Sequence, residues 1–402
     1  MKIIYVIGNF AVNTGVGGHY YSVIATAQAM VKAGHQCHIV CIGNQASPVI
    51  NDWAAKGGAV TYIRYSPSRF FQVVRDLTGV VRECQGDLIN AFDVASALFA
   101  RLVSHATGVK FFLTVCGGPP PKRYSPLIRN VAVFSKELHT YYSGRGGLHV
   151  SIIANRVDEF ACAPERVALV ERNIQRHGLL ILRIARINKF YERSILQTLA
   201  LAALLRSHGV PAQAVIVGEN TDEEVSSRVR HALGTQDYLF SDPGIARNAK
   251  EIIDVADWVV GTGRSYMEAA SHGKVMLCPS KDFRLPVLIN EKTFDDAFSL
   301  NFSERVRVAV SEEDNTADIL REAGATGDNA RLGAFARQTF NEYFDIAALP
   351  GRYEQFYRSA IPRKFWDVLD VPLHLFSFLK ANARAHMKKR KQLKLSMNQA
   401  PT

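Results

Sequence analysis

Residues 261–270, with the sequence GTGRSYMEAA, combine a glycine-rich turn with side chains that can hold a phosphorylated ligand. Two apolar runs, 256–260 and 275–277, flank them and predict the order strand, turn, helix, strand. In a parallel α/β sheet such a turn lies at the carboxyl ends of the strands and offers backbone N–H groups to a ligand.

The side chains of this turn extend the same chemistry. Arg264 can add a positive charge, Ser265 a hydroxyl and a helix cap, and Glu268 a carboxylate for sugar hydroxyls. The plainer interpretation also stands, because glycine turns that only begin a helix are common in α/β folds.

The segments that must position this turn alternate between apolar runs and helical patterns. Strands are predicted over residues 3–7, 36–42, 60–65, 87–91, 110–115, 130–135, 150–154, 179–187, 213–217 and 239–240. Helical patterns separate most of them, and a chain of 402 residues is too long for one core. We therefore predict two doubly wound α/β domains.

The first strand leads into a loop and then a helix that begins near the pair Gly17 and Gly18. An anion can bind at such a helix start, although the spacing is not the GxGxxG of a dinucleotide site. Glycines needed only for a tight turn are the alternative. Residues 160–176 are charged and lack a clear period, so we expect a linker between the domains there.

Cysteine usage and charge restrict the class of protein. The six cysteines form no CxxC pair and no histidine cluster accompanies them, so we expect reduced thiols and no bound metal. The apolar run at residues 3–7 is too short for the hydrophobic region of a signal peptide, which favours a cytoplasmic location.

The net charge of +11 is concentrated in the tail. Residues 363–402 carry +7, from nine Lys or Arg against two Asp or Glu. We therefore expect no nucleic-acid partner for the rest of the chain.

The tail itself has helical spacing. Its apolar residues recur at steps of three and four and are followed by a basic run at 388–391; they are Trp366, Leu369, Leu373, Phe376, Leu379, Ala383 and Met387. This predicts a basic amphipathic helix on an anionic membrane surface. A helix that packs on the core and ends in a solvated tail is the alternative.

Seven short motifs together resemble the retaining family-four glycosyltransferases, which have the glycosyltransferase B fold. The resemblance covers about residues 1–360 and rests on the order and spacing of the motifs. They are GGH at 17–19, VFSKEL at 133–138, IANRVD at 153–158, RINK at 186–189, VIVGE at 215–219, ADWVV at 256–260 and EAASHGK at 268–274.

The resemblance implies two Rossmann-like domains facing across a cleft, with a C-terminal amphipathic helical tail. It implies an acceptor-side domain over 1–172 and a nucleotide-sugar-binding domain over 173–345. Residues 346–362 would form a returning helix on the first domain, and 363–402 the tail.

The family's functional residues transfer to matching positions. Arg186 and Lys189, with Arg193 as a substitute, would neutralise the donor diphosphate, and Glu268 would hold the ribose. Donor-binding positions are Gly17, Gly18, Gly218, Gly263, Arg264 and Ser265.

One motif position departs from the family. The first glutamate of the family's glutamate pair is Val260 here, so its contact to the donor sugar is absent or comes from residues 261–264. For the acceptor, the resemblance implies binding by the loops at 90–93 and 116–121. Asp93 is either a polar group for the acceptor or a helix cap, and His19 is either a site residue or a structural residue.

The implied function is transfer of a sugar from a UDP- or GDP-linked donor to a glycan or lipid-linked acceptor of bacterial surface polysaccharide. The enzyme would be retaining, need no cofactor beyond this donor, and act in the cytoplasm or on the inner face of the plasma membrane. Two alternatives remain. One is a non-catalytic partner subunit, which Val260 suggests, and the other is a nucleotide-sugar epimerase of the same fold.

Overall fold

The structure, a computed structural model, describes residues 1–10, 15, 17–122, 124–324 and 329–397. Side chains at 329, 366, 385–386 and 388–397 lie outside this description. The chain divides into two compact units, Met1–Ala154 with Ile346–Thr402, and Asn155–Asp345.

Strands and helices alternate along the described chain. The strands are β1 (Lys2–Asn9), β2 (Gln36–Gly43), β3 (Val60–Arg64), β4 (Leu88–Ala91), β5 (Lys110–Val115), β6 (Asn130–Val133), β7 (His149–Ile152), β8 (Leu179–Ile184), β9 (Ala212–Val217), β10 (Tyr238–Phe240), β11 (Trp258–Val260), β12 (Val275–Cys278) and β13 (Val287–Leu288).

The helices are α1 (Gly18–Lys32), α2 (Pro48–Ala55), α3 (Phe70–Glu83), α4 (Val94–Thr107), α5 (Lys136–Ser143), α6 (Pro164–Asn173), α7 (Glu192–Ser207), α8 (Glu223–Ala232), α9 (Pro243–Ala246), α10 (Arg264–Ala270), α11 (Phe294–Ser299), α12 (Glu312–Gly324), α13 (Asn329–Thr339), α14 (Leu349–Arg358) and α15 (Val371–Met397). Short 3₁₀ segments lie at Pro67–Arg69, Ala249–Val255, Ile346–Ala348 and Phe365–Asp370, and a π-helical turn at Phe340–Phe344.

The first unit is a seven-stranded parallel sheet in the order β3-β2-β1-β4-β5-β6-β7. Helices cover both faces, so strands such as β1 are apolar almost throughout and are buried. Helix α14 returns to this unit, where Tyr353 and Tyr357 join the core and Asn90 donates to the Tyr357 hydroxyl at 2.8 Å. The order reverses between β1 and β4, and ligands of open α/β sheets bind at such a reversal.

The second unit is a six-stranded sheet in the order β10-β9-β8-β11-β12-β13, with only β13 antiparallel to its neighbour. Its reversal lies between β8 and β11, so the segments after these strands meet at one edge. Both units therefore confirm the prediction of two doubly wound domains.

The segment predicted as a linker is structured instead. Residues 155–172, predicted in the first domain, belong to the second unit, because Val157 N–H donates to Phe344 O at 3.0 Å and α6 packs beside the 3₁₀ segment Ala249–Val255. Helix α6 has Pro164 in its first turn but buries only Val170 fully. A helix that buries so little gives no apolar period, which is why the sequence failed to predict it.

A membrane crossing requires a long and strongly apolar helix, and none of the helices in the described part of the chain meets that requirement.

Candidate functional site

The glycine turn and Arg186 lie at the reversal point of the second sheet. Arg186 follows the carboxyl end of β8, and Gly261, Thr262 and Gly263 follow β11, which pairs with β8 in parallel. Both segments were predicted from the sequence as donor-binding segments. They are far apart in the chain, and the structure places them at the ends of adjacent strands.

The turn needs its glycines for different reasons. A Cβ on Gly261 would lie 2.6 Å from Tyr266 Cα, so only glycine lets the strand end approach α10 this closely. Gly263 has φ +47 and ψ −115, a conformation that L side chains rarely adopt. Within the described residues its N–H donates to no acceptor, which leaves one backbone donor for an anion.

Ser265 closes the turn. Its hydroxyl accepts from Thr262 N–H at 3.0 Å and donates to Thr262 O at 3.0 Å, while its own N–H donates to Thr262 O at 3.1 Å. The predicted role as a ligand hydroxyl stays a prediction, and the structure gives Ser265 a local role that stabilises the turn.

Arg264 and Glu268, which were predicted separately, form a pair one helical turn apart. Arg264 Nε donates to Glu268 Oε1 at 2.7 Å, and the glutamate side chain is nearly buried. Among the described residues Glu268 Oε2 accepts no hydrogen bond. The arginine therefore orients a carboxylate whose second oxygen can still accept from a hydroxyl.

Arg186 is the exposed cation of this edge. No carboxylate of the described residues lies within 4 Å of it, and its guanidinium lies 6.0 Å from the Tyr191 ring centroid. An arginine without an acidic partner at a strand end can bind a phosphate bidentately.

Gly218 supports the backbone before Arg186. A Cβ at Gly218 would lie 1.8 Å from Ala185 O and 3.2 Å from Arg186 N, so the ends of β8 and β9 approach only because this residue is glycine. The structure thus gives a packing reason for the glycine, and the predicted donor contact stays a prediction.

Lys189 is less directly available than Arg186. Its side chain is 67% exposed and its ammonium lies 3.6 Å from Glu224 on α8. Such exposed pairs contribute about 0–1 kcal/mol, so an anionic ligand can displace this one. Arg193, the suggested substitute, is exposed and donates to Phe283 O at 3.4 Å.

A fully buried arginine inside β8 was missed. Arg183 donates to Ser194 Oγ at 2.8 Å and to Val260 O at 3.1 Å, and it pairs with Glu304 Oε1 at 3.2 Å. Burial lowers the pKa of Arg183 and raises the pKa of Glu304. The available signal was a charged residue within the apolar run of residues 179–187.

The partner of Arg183 belongs to a loop. This loop spans residues 300–311, and in it Asn301 and Phe302 have φ +53 and +48. The Phe302 ring stacks on Tyr266 at 3.7 Å between centroids. These contacts hold the loop against the start of α10.

The first-unit candidates lie at the reversal between β1 and β4. Gly17 precedes α1, and none of the described residues lies within 4 Å of a Cβ built on Gly18. Residues 11–14 and 16 of the adjoining loop lie outside the described part of the chain. The His19 ring lies 4.2 Å from that of Tyr20.

Asp93 is a helix cap. Its carboxylate accepts from Ser96 N–H at 2.7 Å and from Gly8 N–H at 2.6 Å, which joins the start of α4 to the end of β1. The structure thus supports the capping interpretation of the two that the sequence allowed.

The described residues contain one cluster of potential metal ligands, although the sequence predicted no metal site. They are Cys162, Asp254 and His272, with ligand atoms within 4.8 Å of one another. Lys274 lies 3.7 Å from the Asp254 carboxylate and already supplies positive charge there. Burial raises the pKa of the Cys162 thiol to about 11, which disfavours the thiolate that a metal needs.

Comparison with known proteins gives a fold match but no sequence match. No family model matches the chain. No curated protein matches it either. Solved structures do, at 13–15% identity in the examples that follow.

The first example is a glycosyltransferase from Rickettsia africae, with a TM-score of 0.66 and 15% identity over 89% of this chain and 98% of that one. HepE from Anabaena, solved with UDP, gives 0.65 and 14% over 89% and 100%. The lipopolysaccharide outer core galactosyltransferase WaaB gives 0.58 and 13% over 89% and 99%.

The chain has the glycosyltransferase B fold. Each of its units, taken separately, is one Rossmann-like half of that fold, and the predicted fold class is confirmed. At these identities the likeness establishes the fold alone.

Proposed function

We propose that this glycosyltransferase B protein transfers a sugar from a nucleotide-sugar donor to an acceptor hydroxyl. The observation that carries the proposal is the edge of the second sheet. There Arg186, without an acidic partner among the described residues, lies at the strand end next to the turn that presents Gly263 N–H and Glu268. A nucleoside diphosphate requires just such a cation, backbone donor and hydroxyl acceptor.

The reaction breaks the bond between the sugar anomeric carbon and the diphosphate oxygen, which keeps the electron pair. Negative charge grows on the leaving diphosphate, and Arg186, with Lys189 released from Glu224, stabilises it. The acceptor hydroxyl forms the new bond to the anomeric carbon and gives its proton to the oxygen of the leaving diphosphate. Arg186, Lys189 and Glu268 are the residues that we assign to this chemistry, with retention of configuration as the resemblance implies.

The donor side of the proposal is UDP- or GDP-linked. The UDP in the HepE structure favours UDP for this chain. Glu268 Oε2 would accept from the ribose, and Gly17 and Gly18 stay predicted donor-binding positions. Gly218 and Ser265 would complete the donor-binding residues through the backbone they shape.

The acceptor is proposed to be a glycan or lipid-linked intermediate of bacterial surface polysaccharide. The naming of WaaB as a lipopolysaccharide galactosyltransferase supports this class of acceptor. No cofactor beyond the donor is needed, since basic residues and backbone donors already manage the charge of the leaving group.

A non-catalytic partner subunit is the second candidate, favoured by one observation. Val260, at the position of the family's first glutamate, is fully buried in the core of the second unit and cannot contact a sugar. A subunit that lost its donor site should bind neither UDP nor GDP.

The test is donor turnover. Release of nucleoside diphosphate from a panel of UDP- and GDP-sugars should fall about 10²- to 10³-fold in Arg186→Ala, the usual effect of removing one transition-state donor. Arg172→Ala, an exposed arginine of the same unit, is the matched control and should turn over normally. Normal turnover by a folded Arg186→Ala protein would overturn the assignment.

A further inference from the structure

The C-terminal segment is fixed to the first unit by buried ion pairs. Asp367 accepts from Arg129 Nε at 2.7 Å and Nη2 at 2.5 Å, and both side chains are buried. Asp370 accepts from Arg101 at 2.9 Å and from Leu127 N–H at 2.7 Å. The segment is therefore part of the folded unit rather than a loose arm.

The inner face of α15 packs on a cluster of aromatic rings. Phe378 is 4% exposed and lies 5.4 Å from the rings of both Phe10 and Phe99. His374 is buried beside it and donates to Val94 O at 3.0 Å. Burial lowers the pKa of His374 to about 4, so it is neutral at physiological pH and fits this apolar contact.

The outer face of the same segment presents large apolar side chains to solvent. Because the inner face is already covered, these residues form what we call the outer stripe. It consists of Phe365 at 88% exposure, Leu369 at 72%, Leu373 at 58%, Phe376 at 64% and Met387 at 63%. A set of exposed apolar side chains of this size marks a contact surface.

The sequence had singled out this face as the apolar side of the helix, and the structure shows that it is not the side packed on the core. Neither alternative from the sequence was complete, since the helix packs through one face and exposes the other.

A basic cavity adjoins the outer stripe. It has a volume of about 620 Å³, and Phe365 and Val368 line it together with His105, Lys110, Arg363 and Lys364. Lys110 and Arg363 have no carboxylate within 4 Å among the described residues, since the nearby Asp367 is bound to Arg129. The cavity is thus cationic and opens beside exposed apolar side chains.

Charge continues along the stripe. The Lys380 ammonium lies 5.7 Å from the Phe376 ring, and residues 363–402 carry a net charge of +7 in the sequence. Apolar side chains with flanking cations match the interface of an anionic bilayer, where apolar groups enter the acyl boundary and cations meet phosphate.

We propose that the outer stripe and the basic cavity are one membrane-docking surface, with the stripe in the interface of an anionic bilayer and a lipid phosphate in the cavity. The proposal does not depend on the sugar-transfer assignment, because its test measures binding without turnover.

The test is flotation of the full chain with vesicles. Vesicles of phosphatidylglycerol and phosphatidylcholine should carry the protein up the gradient, and pure phosphatidylcholine should carry at least tenfold less. Deleting residues 363–402 would remove Asp367 and Asp370 and expose buried arginines, so point variants are the proper probes.

Leu373→Glu with Phe376→Glu should lower the bound fraction at least tenfold, while Phe71→Glu, a more exposed phenylalanine on α3, should not. Lys110→Glu with Arg363→Glu should lower it similarly, against Arg64→Glu as an exposed control. Unfolding curves must show that each variant folds.

Three outcomes would overturn the proposal. The first is no binding of the folded wild-type chain to anionic vesicles, even where calorimetry shows inorganic phosphate in the cavity. The second is unchanged vesicle binding in both folded double variants. The third is a dimer in light scattering that Leu373→Glu with Phe376→Glu dissociates, which would make the stripe a contact between two copies.

Discussion

At the scale of single residues, the second unit separates a paired arginine from an unpaired one. Arg183 is buried and its charge is balanced by Glu304 at 3.2 Å, whereas Arg186, three positions on, is exposed and has no carboxylate within 4 Å among the described residues. The first arginine holds the ends of β8 and β11 together, and the second remains available to a ligand.

The Arg183–Glu304 pair predicts an uneven mutational response. Arg183→Met should lower the free energy of unfolding by about 3–5 kcal/mol, since it leaves the buried Glu304 carboxylate without its cation. Adding Glu304→Gln should recover part of that loss. Urea unfolding of both variants measures it.

The control is Arg176→Met, which breaks a partly exposed ion pair with Asp257 and should cost about 1 kcal/mol. A cost for Arg183→Met no greater than for Arg176→Met would contradict the proposed role of the buried pair.

At the scale of elements, glycines set how closely strand ends approach. Gly218 allows β9 to meet the backbone before Arg186, and Gly261 allows β11 to meet α10. The site is therefore shaped by residues that need not touch a ligand.

Gly218→Ala should lower the free energy of unfolding by about 1–3 kcal/mol, because its Cβ would meet a backbone carbonyl that cannot swing aside. It should also weaken binding of UDP, since Arg186 moves with that backbone. Chemical unfolding and calorimetry measure the two effects. Gly351→Ala, in α14 with open space around it, is the control and should be neutral or stabilising. Equal behaviour of the two variants would contradict the packing role.

The attachment of the C-terminal segment should depend on pH. Burial acts to raise the pKa of Asp367, but hydrogen bonds from Arg129 and the Lys364 backbone outweigh it and hold the pKa below the ordinary value of 3.8. A carboxyl with a lowered pKa contributes stability that is present above its unfolded pKa and is lost as pH falls through its folded pKa.

Unfolding between pH 7 and pH 2 should therefore show a loss of stability below about pH 4 that is smaller in Asp367→Asn, which lacks this titration. At pH 7 the same variant should lose about 3–5 kcal/mol, because Arg129 stays buried without its partner. Asp282→Asn, which breaks an exposed pair with Arg307, serves as the control. Identical pH profiles for wild type and Asp367→Asn would rule out the attachment described.

At the scale of the whole molecule, local sequence patterns predicted most of the fold. They did not predict contacts between residues that are far apart in the sequence. The alternation of apolar runs and helical periods predicted both sheets, and the position of Asp93 allowed its capping role. Glu304 could not be paired with Arg183 from sequence, because the pairing joins residues on separate segments through the fold.

The C-terminal tail also combines a local pattern that the sequence shows with distant contacts that it does not show. Its helical period was visible, but which face packs depends on rings from distant segments, such as Phe10 and Phe99, that the sequence does not bring together. Val260 was recognised as the departure from the family's glutamate, and only the structure shows that its side chain belongs to the core.

Calorimetric titration with UDP and GDP tests the central claim most directly, because it needs neither the sugar nor the acceptor. The wild-type chain should bind one equivalent of one of these nucleotides. Arg186→Ala and Glu268→Gln should each weaken that binding by about tenfold or more, as expected for lost hydrogen bonds to charged groups, while Arg172→Ala should bind normally. No binding of either nucleotide, or unchanged binding in folded Arg186→Ala, would contradict the account.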